Sequence, residues 1–411
     1  MTEAKISPGT GAYRRLCAAM LFAGLSTFAL LYCTQPLLPQ FSADYGLNAE
    51  EASLAVSLAT GPMAFVLLVA GMISDRIGRR GMMIGSLLGA AVLTAPLGLL
   101  PGWHSLLALR LVSGIALAGV PAVAMAYISE EVEDAAVGRA MGLYIAGSAV
   151  GGMSGRLLVS VLAEWWGWRT ALGATGLAAL ALALVFWRIL PRSRQFTPRR
   201  QSLTGYARGF SSLFADTALP WLFLVAFLLM GAFISVYNYA GYRLLAAPYA
   251  LSQGEVGLIF LLYLLGSASS ALAGHVSGKL GPRRALWPPL VLFLFGIALT
   301  SAQALPLVIA GIGVVTVAFF AAHAVASSWV GRRAREARAQ GTASYLFGYY
   351  MGSSVLGSAG GYAWTHAGWG GVALFAGSLI ALGLVLAVRL AFVQPLAPAV
   401  SGAPRPAINA E

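Results

Sequence analysis

Apolar stretches of about 18 residues or more, nearly free of charge, recur along the whole chain between polar breaks. A stretch of that length crosses the ~30 Å hydrocarbon core of a bilayer as a helix. In lipid every backbone N–H and C=O must be satisfied within the segment, so such stretches can only be helices. Their limits predict twelve spans: 16–38, 52–73, 81–100, 105–128, 138–162, 170–190, 219–242, 254–276, 285–304, 306–330, 339–363 and 370–392. The breaks are short except for 191–218, which is polar and basic and contains Pro191 and Pro198. The pattern therefore predicts an all-α membrane protein. An N-terminal six-helix bundle (1–190) and a C-terminal one (219–393) are joined by a linker (191–218) and followed by a disordered tail (394–411). Arg14 and Arg15 precede the first stretch, which reaches Gln35, Pro36 and Pro39 without a small-x-small cleavage signal, so it is expected to be a retained span.

Of the 411 residues, 59% are hydrophobic and 10% charged. A soluble domain carries about 25% charge, which excludes that class. The net charge of +12 would suit nucleic acid, but its distribution assigns it to topology instead. With the N-terminus in the cytoplasm, 22 of the 26 Lys and Arg residues fall on the cytoplasmic side. Only Arg169 and Arg243 fall outside, and Arg110 and Arg156 lie within spans. That split obeys the positive-inside rule, and one missed helix would scramble it. Glu130, Glu131, Glu133 and Asp134 run against the trend, but acidic residues weigh little in the rule. Both termini are expected in the cytoplasm, and no nucleic-acid partner is expected. Cys17 and Cys33 share the first stretch, which suggests neither a disulfide framework nor a thiolate metal site.

The two halves repeat. Gly71-Met-Ile-Ser-Asp-Arg-Ile-Gly-Arg-Arg80 aligns with Gly274-His-Val-Ser-Gly-Lys-Leu-Gly-Pro-Arg283 at an offset of 203 residues. Each segment joins the second and third spans of its half, and the same offset pairs Gly138 with Gly341. Six plus six spans in parallel repeat is a transporter architecture with the solute path between the halves. Asp75 is set among Arg76, Arg79 and Arg80 in a glycine-punctuated turn. It can pair with them or sit against the positive N-terminus of a helix in the other half, a contact that one conformation makes and another breaks.

At these residues the sequence resembles the major facilitator superfamily, whose signature between the second and third helices is G-x-L-[AS]-D-[RK]-x-G-R-[RK]. Gly71, Ser74, Asp75, Arg76, Gly78, Arg79 and Arg80 match it, with Ile73 for Leu. The resemblance covers essentially the whole chain. It implies that Asp75 and Arg79 stabilise the outward-facing state. The second copy carries Gly278 and Pro282 at the matching positions, so the charged lock is expected in the first half alone. Leu106, Arg110, Ser113 and Gly114 resemble the family's fourth-span motif, whose arginine is implicated in proton coupling; Ser113 replaces its Gln. Gly138, Gly147, Gly151 and Gly155 keep the spacing of the antiporter motif of the fifth span, with Gly152 for its Pro and Arg156 for its last Gly. That motif marks exporters more than importers, and a glycine face lets helices approach closely. Tyr32-Cys-Thr-Gln-Pro-Leu-Leu-Pro39 is similar to bacterial inner-membrane efflux permeases of the sugar- or arabinose-efflux-like kind.

Ionisable groups inside a membrane are functional candidates. At about 1.5 Å rise per residue, Arg110 and Arg156 fall in the outer third of the bilayer. Gln35 and Asn238 lie at similar depth, and these four are expected to form a polar ring around the path. Tyr32, Tyr237 and Tyr239 add rings able to stack on a solute or donate a hydrogen bond. The arginines equally fit snorkelling, and the amides an interhelical bond. All 14 acidic residues lie in tails, loops or span ends, so proton carriage would fall to Asp44, Glu51, Glu164 or His323.

The leading reading is proton-linked efflux of a small organic solute by alternating access. The alternative is import or exchange of an organic anion on Arg110 and Arg156. A non-transporting sensor is a further class. The four histidines, His104, His275, His323 and His366, stand in separate segments without ligand spacing, which points away from an enzyme or a metal site. No cofactor is expected, and the fold is expected to work as a monomer.

Overall fold

The computed structural model describes residues 5–197, 203–335 and 337–394; the tail expected over 394–411 lies outside them apart from Gln394. Four apolar helices open the chain: α1 (Gly11–Tyr45), α2 (Ala49–Ile77), α3 (Arg79–Leu99) and α4 (Trp103–Glu131). The next helix, Asp134–Ile189, has 56 residues, more than twice what one crossing needs. It breaks at Gly167, whose φ of 76° and ψ of 157° leave the helix, giving α5 (134–166) and α6 (168–189). Then follow α7 (Leu219–Leu245), α8 (Gln253–Leu280), α9 (Pro282–Thr300) and α10 (Leu305–Arg333). The last helix, Arg338–Ala391, breaks at Ala367 and Gly368 into α11 (338–366) and α12 (369–391). Among the described residues the architecture is thus helical throughout, with twelve spans in the order that the apolar pattern predicts.

Both long helices turn back on themselves. The start of α5 and the residues after α6 share one face: Lys5 pairs with Asp134 at 3.1 Å, and the Tyr127 hydroxyl donates to the Pro191 carbonyl at 2.8 Å. At the other pair, Arg333 at the end of α10 donates to the Gln394 carbonyl beyond α12 at 3.2 Å. This face carries most of the Lys and Arg and is called here the basic face; the opposite one is the far face. Two of the helices that enter from the far face start on short N-cap motifs. Asn48 and Glu51 form a reciprocal capping box at α2, and Ser252 and Glu255 form the matching one at α8.

The helices α1 and α7 are the most enclosed, while α6 and α12 show Leu177, Leu184, Leu374 and Val385 outward. The reason for the tight inner packing is in part glycine. A Cβ on Gly147, Gly151 or Gly155 of α5 would run into the α1 backbone at Leu21, Leu25 or Ala29. Gly348 and Gly352 of α11 meet α7 at the Phe223 and Phe227 carbonyls in the same way. Gly138, grouped with the α5 glycines by spacing, differs: nothing lies within 4 Å of a Cβ placed there. Spacing alone could not tell the helix end, which clears its neighbour, from the crossing point.

The linker holds an element that the apolar pattern did not predict, the helix Leu203–Phe214. Tyr206, Gly209, Phe210 and Leu213 follow a one-faced helical spacing and turn inward. The Tyr206 hydroxyl donates to the Leu68 carbonyl of α2 at 2.7 Å, and Gly209 lies beside the Gln340 side chain of α11. After this helix, Asp216 accepts from the Ala218 and Leu219 N–H groups at the start of α7 and pairs with Arg333 at 2.6 Å. Burial opposes ionisation of Asp216, but these hydrogen bonds outweigh it and hold the carboxyl below its usual range. The stabilisation it gives is present at neutral pH and is lost as the pH falls through that depressed value.

The glycine contacts yield a stability prediction. Gly151→Ala overpacks the α1–α5 crossing at a cost of about 1–3 kcal/mol and lowers the melting temperature in detergent. Gly138→Ala, with open space around the new methyl, leaves melting unchanged or raises it. Identical melting of the two variants would contradict the contact.

Candidate solute site between the halves

The two halves meet at an amide pair. Gln35 Nε2 donates to Asn238 Oδ1 at 2.8 Å, and both side chains are buried. The two positions are separated by 203 residues, the offset of the internal repeat. Equivalent positions of parallel repeats are related by an axis along the membrane normal, so this hydrogen bond lies on the molecular pseudo-two-fold.

Arg156 extends the pair into a chain. Its Nε donates to Gln35 Oε1 at 2.5 Å and its Nη1 to the Gly152 carbonyl at 2.5 Å. The guanidinium lies over the Tyr32 ring at 4.1 Å, with Tyr263 at 5.1 Å and Phe260 at 5.5 Å. Aromatic faces attract a cation, more so when water is excluded. No carboxylate is paired with Arg156 among the described residues, and only 2% of the residue is exposed. A buried charge ordinarily has a counter-charge, so this one stands out. Tyr263 and Phe260 were not singled out from the sequence. They sit in α8, and only the fold brings them to α5.

The expected ring of four polar residues is a chain of three. Arg110 directs its donors elsewhere: Nε to the Ala55 carbonyl at 2.8 Å, Nη1 to the Leu30 carbonyl at 3.0 Å and Nη2 to the Leu31 carbonyl at 2.5 Å. The cause lies in α1. Its α-helical ladder stops at Tyr32, before a 3₁₀ turn at Gln35–Leu37. The last carbonyls of the preceding helical segment, Gly11–Tyr32, lose their intrahelical donors there. Arg110 reaches across from α4 and satisfies two of them. In the other half α7 runs unbroken from Leu219 to Leu245, and the position 203 residues on from Arg110 is Gly313.

The remaining candidates divide. The Tyr237 hydroxyl bonds Thr316 at 2.6 Å, and its ring stacks on Phe260 at 5.6 Å, which places it behind the rings that face Arg156. Tyr239 donates to the Gly357 carbonyl at 2.7 Å and ties α7 to α11. His323 shares a 3.0 Å hydrogen bond with the Tyr345 hydroxyl and packs against Tyr349 and Phe319. Glu51 is committed to its capping box, and Asp44 to Trp168 at 2.7 Å and Arg169 at 3.1 Å. Glu164 crosses between halves, accepting from Ser252 Oγ at 3.0 Å and the Gly254 N–H at 2.5 Å.

The bonds joining the halves gather toward the far face. Besides Gln35–Asn238 and Glu164, Ser53 and Ser57 bond Ser358 at 2.8 and 2.7 Å, Ser42 bonds Tyr242 at 2.6 Å, and Gln253 donates to the Pro36 carbonyl at 2.8 Å. At the basic face the charged turn looks inward to its own half. Asp75 pairs with Arg79 at 2.6 Å, and Arg79 also reaches Glu130 at 3.1 Å and the Ser74 hydroxyl. Gly78 makes this turn with φ 92°, and Gly281 repeats it with φ 81°. Arg80 donates to the Leu190 and Trp187 carbonyls at 3.2 Å, Arg76 is exposed, and Gly71 lies near the Tyr206 hydroxyl. In the second half the position 203 on from Glu130 is Arg333, which pairs with Asp216 of the linker instead.

Twelve spans in two pseudo-symmetric halves, joined at an axial polar junction, define a multi-pass membrane transporter. The sequence profile of the Major Facilitator Superfamily matches residues 20–242. The inner membrane transport protein YnfM of Escherichia coli (strain K12) is 43% identical, over 94% of this chain and 92% of that protein. The MFS-type transporter YybF of Bacillus subtilis (strain 168) is 40% identical, over 89% and 91%. The chain belongs to the Major Facilitator Superfamily. Among solved structures, the nucleoside transporter NupG shares the fold with a TM-score of 0.78 at 14% identity, over 92% of this chain and 100% of that one. A bacterial homolog of the human lysosomal transporter Spinster, inward-facing and unoccupied, gives 0.74 at 18% identity, over 93% and 97%.

The Arg110 geometry yields a second prediction. Arg110→Met leaves the buried Leu31 carbonyl without a donor and the Leu30 carbonyl with only the weak Cys33 thiol, while the Ala55 carbonyl keeps Thr34 Oγ1, and costs about 2 kcal/mol or more. Arg110→Lys, with one point of charge, cannot reach α1 and α2 together and recovers only part of the loss. Melting and yield after extraction measure both. A methionine variant as stable as the parent would mean that the carbonyls do not need the arginine.

Proposed function

We propose that this protein is a secondary active transporter that exports a small organic solute in exchange for protons. Residues 1–190 and 219–393 rock about the axial junction as two bodies. The observation that carries the reading is the Gln35–Asn238 bond, a polar contact between equivalent helices on the axis of an interface joined by further side-chain hydrogen bonds. Alternating access needs an interface that can part, and hydrogen bonds between serines, amides and tyrosines part at lower cost than interdigitated core packing. In the conformation described, the far face is closed. The turn with Asp75, Arg79 and Arg80 is free of the opposite half, apart from the linker helix beside it. Opening the far face would separate Gln35 from Asn238 and bring the basic ends together, where Asp75 would meet the other half.

The positive-inside rule puts the basic face in the cytoplasm, with both termini there, and the inner-membrane relative supports a bacterial inner membrane. Export is supported by the α5 glycines, whose spacing resembles the antiporter motif and three of which make the α1 contact. His323 supplies an imidazole able to carry a proton, hydrogen-bonded to Tyr345 and set among rings that continue toward the junction. The solute, protons and the lipid are the partners this reading requires, with no nucleic acid or cofactor, and one chain suffices.

Proteoliposomes loaded with a panel of labelled sugars, drugs and metabolites test the reading under an imposed pH gradient. The wild-type protein moves at least one solute against its concentration in response to the gradient. His323→Gln loses that response but keeps exchange of solute for solute. Asp75→Asn slows both while inserting normally. Gradient-driven transport by the His323 variant would remove it from coupling, and indifference of the wild type to pH would remove the proton.

A further inference from the structure

We infer that the cluster of donors around Arg156 binds the anionic head of the solute, and that the head is a carboxylate or another group of single negative charge. This rests on the transporter reading above and narrows it to a substrate class. Four observations converge. The guanidinium is buried, makes its hydrogen bonds to neutral oxygens alone, and leaves Nη2 without a protein partner. Beside it, the hydroxyls of Tyr32 and Tyr263, whose rings face the guanidinium, are buried and unpartnered. The Nδ2 of Asn238, next along the hydrogen-bonded chain, is likewise buried and unpartnered. Each of these groups has a hydrogen to give: guanidinium, two phenols and an amide NH₂. A site made of donors selects a ligand made of acceptors.

Charge sets the rest. A single guanidinium among neutral groups balances one negative charge. A phosphate dianion would bring a second charge into a low dielectric with nothing to meet it. A neutral sugar would leave the cation uncompensated, and a cationic drug would add to it. A carboxylate accepts a charge-assisted bond from the free Nη2, and its remaining lone pairs suit the phenols and the amide. The rings of Phe260, Tyr263 and Tyr32 around the guanidinium give the ligand an apolar and aromatic wall for its body. Of the two arginines that an anion reading first suggests, Arg110 drops out, because its hydrogen bonds are filled by backbone carbonyls.

One test needs no ligand. Gln35→Glu sets a carboxylate where Gln35 Oε1 already meets Arg156, at 2.5 Å, and the unpartnered Asn238 amide can turn to donate to it. If the cation awaits a counter-charge, this variant melts higher than the wild type by about 2 °C or more and no longer binds the solute. The second arm is ligand protection of the purified full-length protein. Benzoate, phenylacetate and cyclohexanecarboxylate are compared at millimolar concentration with their uncharged amides. At least one acid raises the melting temperature of the wild type, its amide does not, and the effect vanishes in Gln35→Glu and in Arg156→Gln. Arg156→Lys, which keeps the charge, retains part of it and guards against a misfolded glutamine variant. A lower or unchanged melting temperature for Gln35→Glu overturns the inference, as does protection by amides equal to that by acids, or by no acid at all. The proteoliposome panel separates this failure from failure of the transporter reading. Transport of neutral or cationic solutes that survives Arg156→Gln would leave a transporter without an anion site.

Discussion

In a bilayer a backbone carbonyl without a donor has no water to turn to, and this constraint shapes the molecule more than any side-chain contact. It forces helices everywhere and makes each interruption of a helix an event that needs a remedy. The interruption in α1 is the informative one. The α-helical ladder stops at Tyr32, before the 3₁₀ turn at Gln35–Leu37, which strands the carbonyls of Leu30 and Leu31, and Arg110 comes across from α4 to satisfy them. Where the companion helix α7 is unbroken, the equivalent position needs no arginine and is Gly313. The two intramembrane arginines, alike in the sequence, therefore do different things. One completes a helix end with neutral dipoles; the other stands beside the axis with donors to spare.

That difference explains what the sequence could and could not disclose. Span number and order were legible because the length of an apolar run and the side on which arginines collect are both local properties. The observed helices overrun the apolar runs, as α2 does from 52–73 to Ala49–Ile77, because a polar helix end costs nothing in water. The charged turn was legible because Gly78 is demanded by its positive φ. The partners of Arg110 were not, since backbone carbonyls leave no trace in residue type. Nor were Phe260 and Tyr263, which reach Arg156 only through the approach of α8 to α5. The linker helix escaped because its one-sided apolar spacing runs for only 12 residues, too short for a reading based on runs long enough to cross a bilayer. One signal was within reach. The offset of 203 found from the glycine turns, applied to Gln35, lands on Asn238.

The asymmetry of the two halves is as instructive as their likeness. Helix lengths, capping boxes and glycine turns repeat, whereas the charged groups do not. Asp75, Arg79 and Glu130 form a triad in one half. The other half replaces Glu130 with Arg333 and borrows its acid, Asp216, from the linker. The linker thus carries an ionic anchor as well as a helix lying against α2 and α11, and it takes part in the basic face instead of merely spanning it.

The bond between Gln35 and Asn238 has a consequence that follows from its place on the axis. A side-chain amide holds a donor and an acceptor in one group, so it is self-complementary: it can bond to a copy of itself across a two-fold. A carboxylate facing its own copy meets like charge, and so does an ammonium. When a six-helix unit is doubled end to end, every axial position confronts its duplicate. An amide there joins the two copies at once, with no matching change needed in either. Gln35 and Asn238 differ by one methylene, so the group presented to the axis is the same from both sides and only its reach is different.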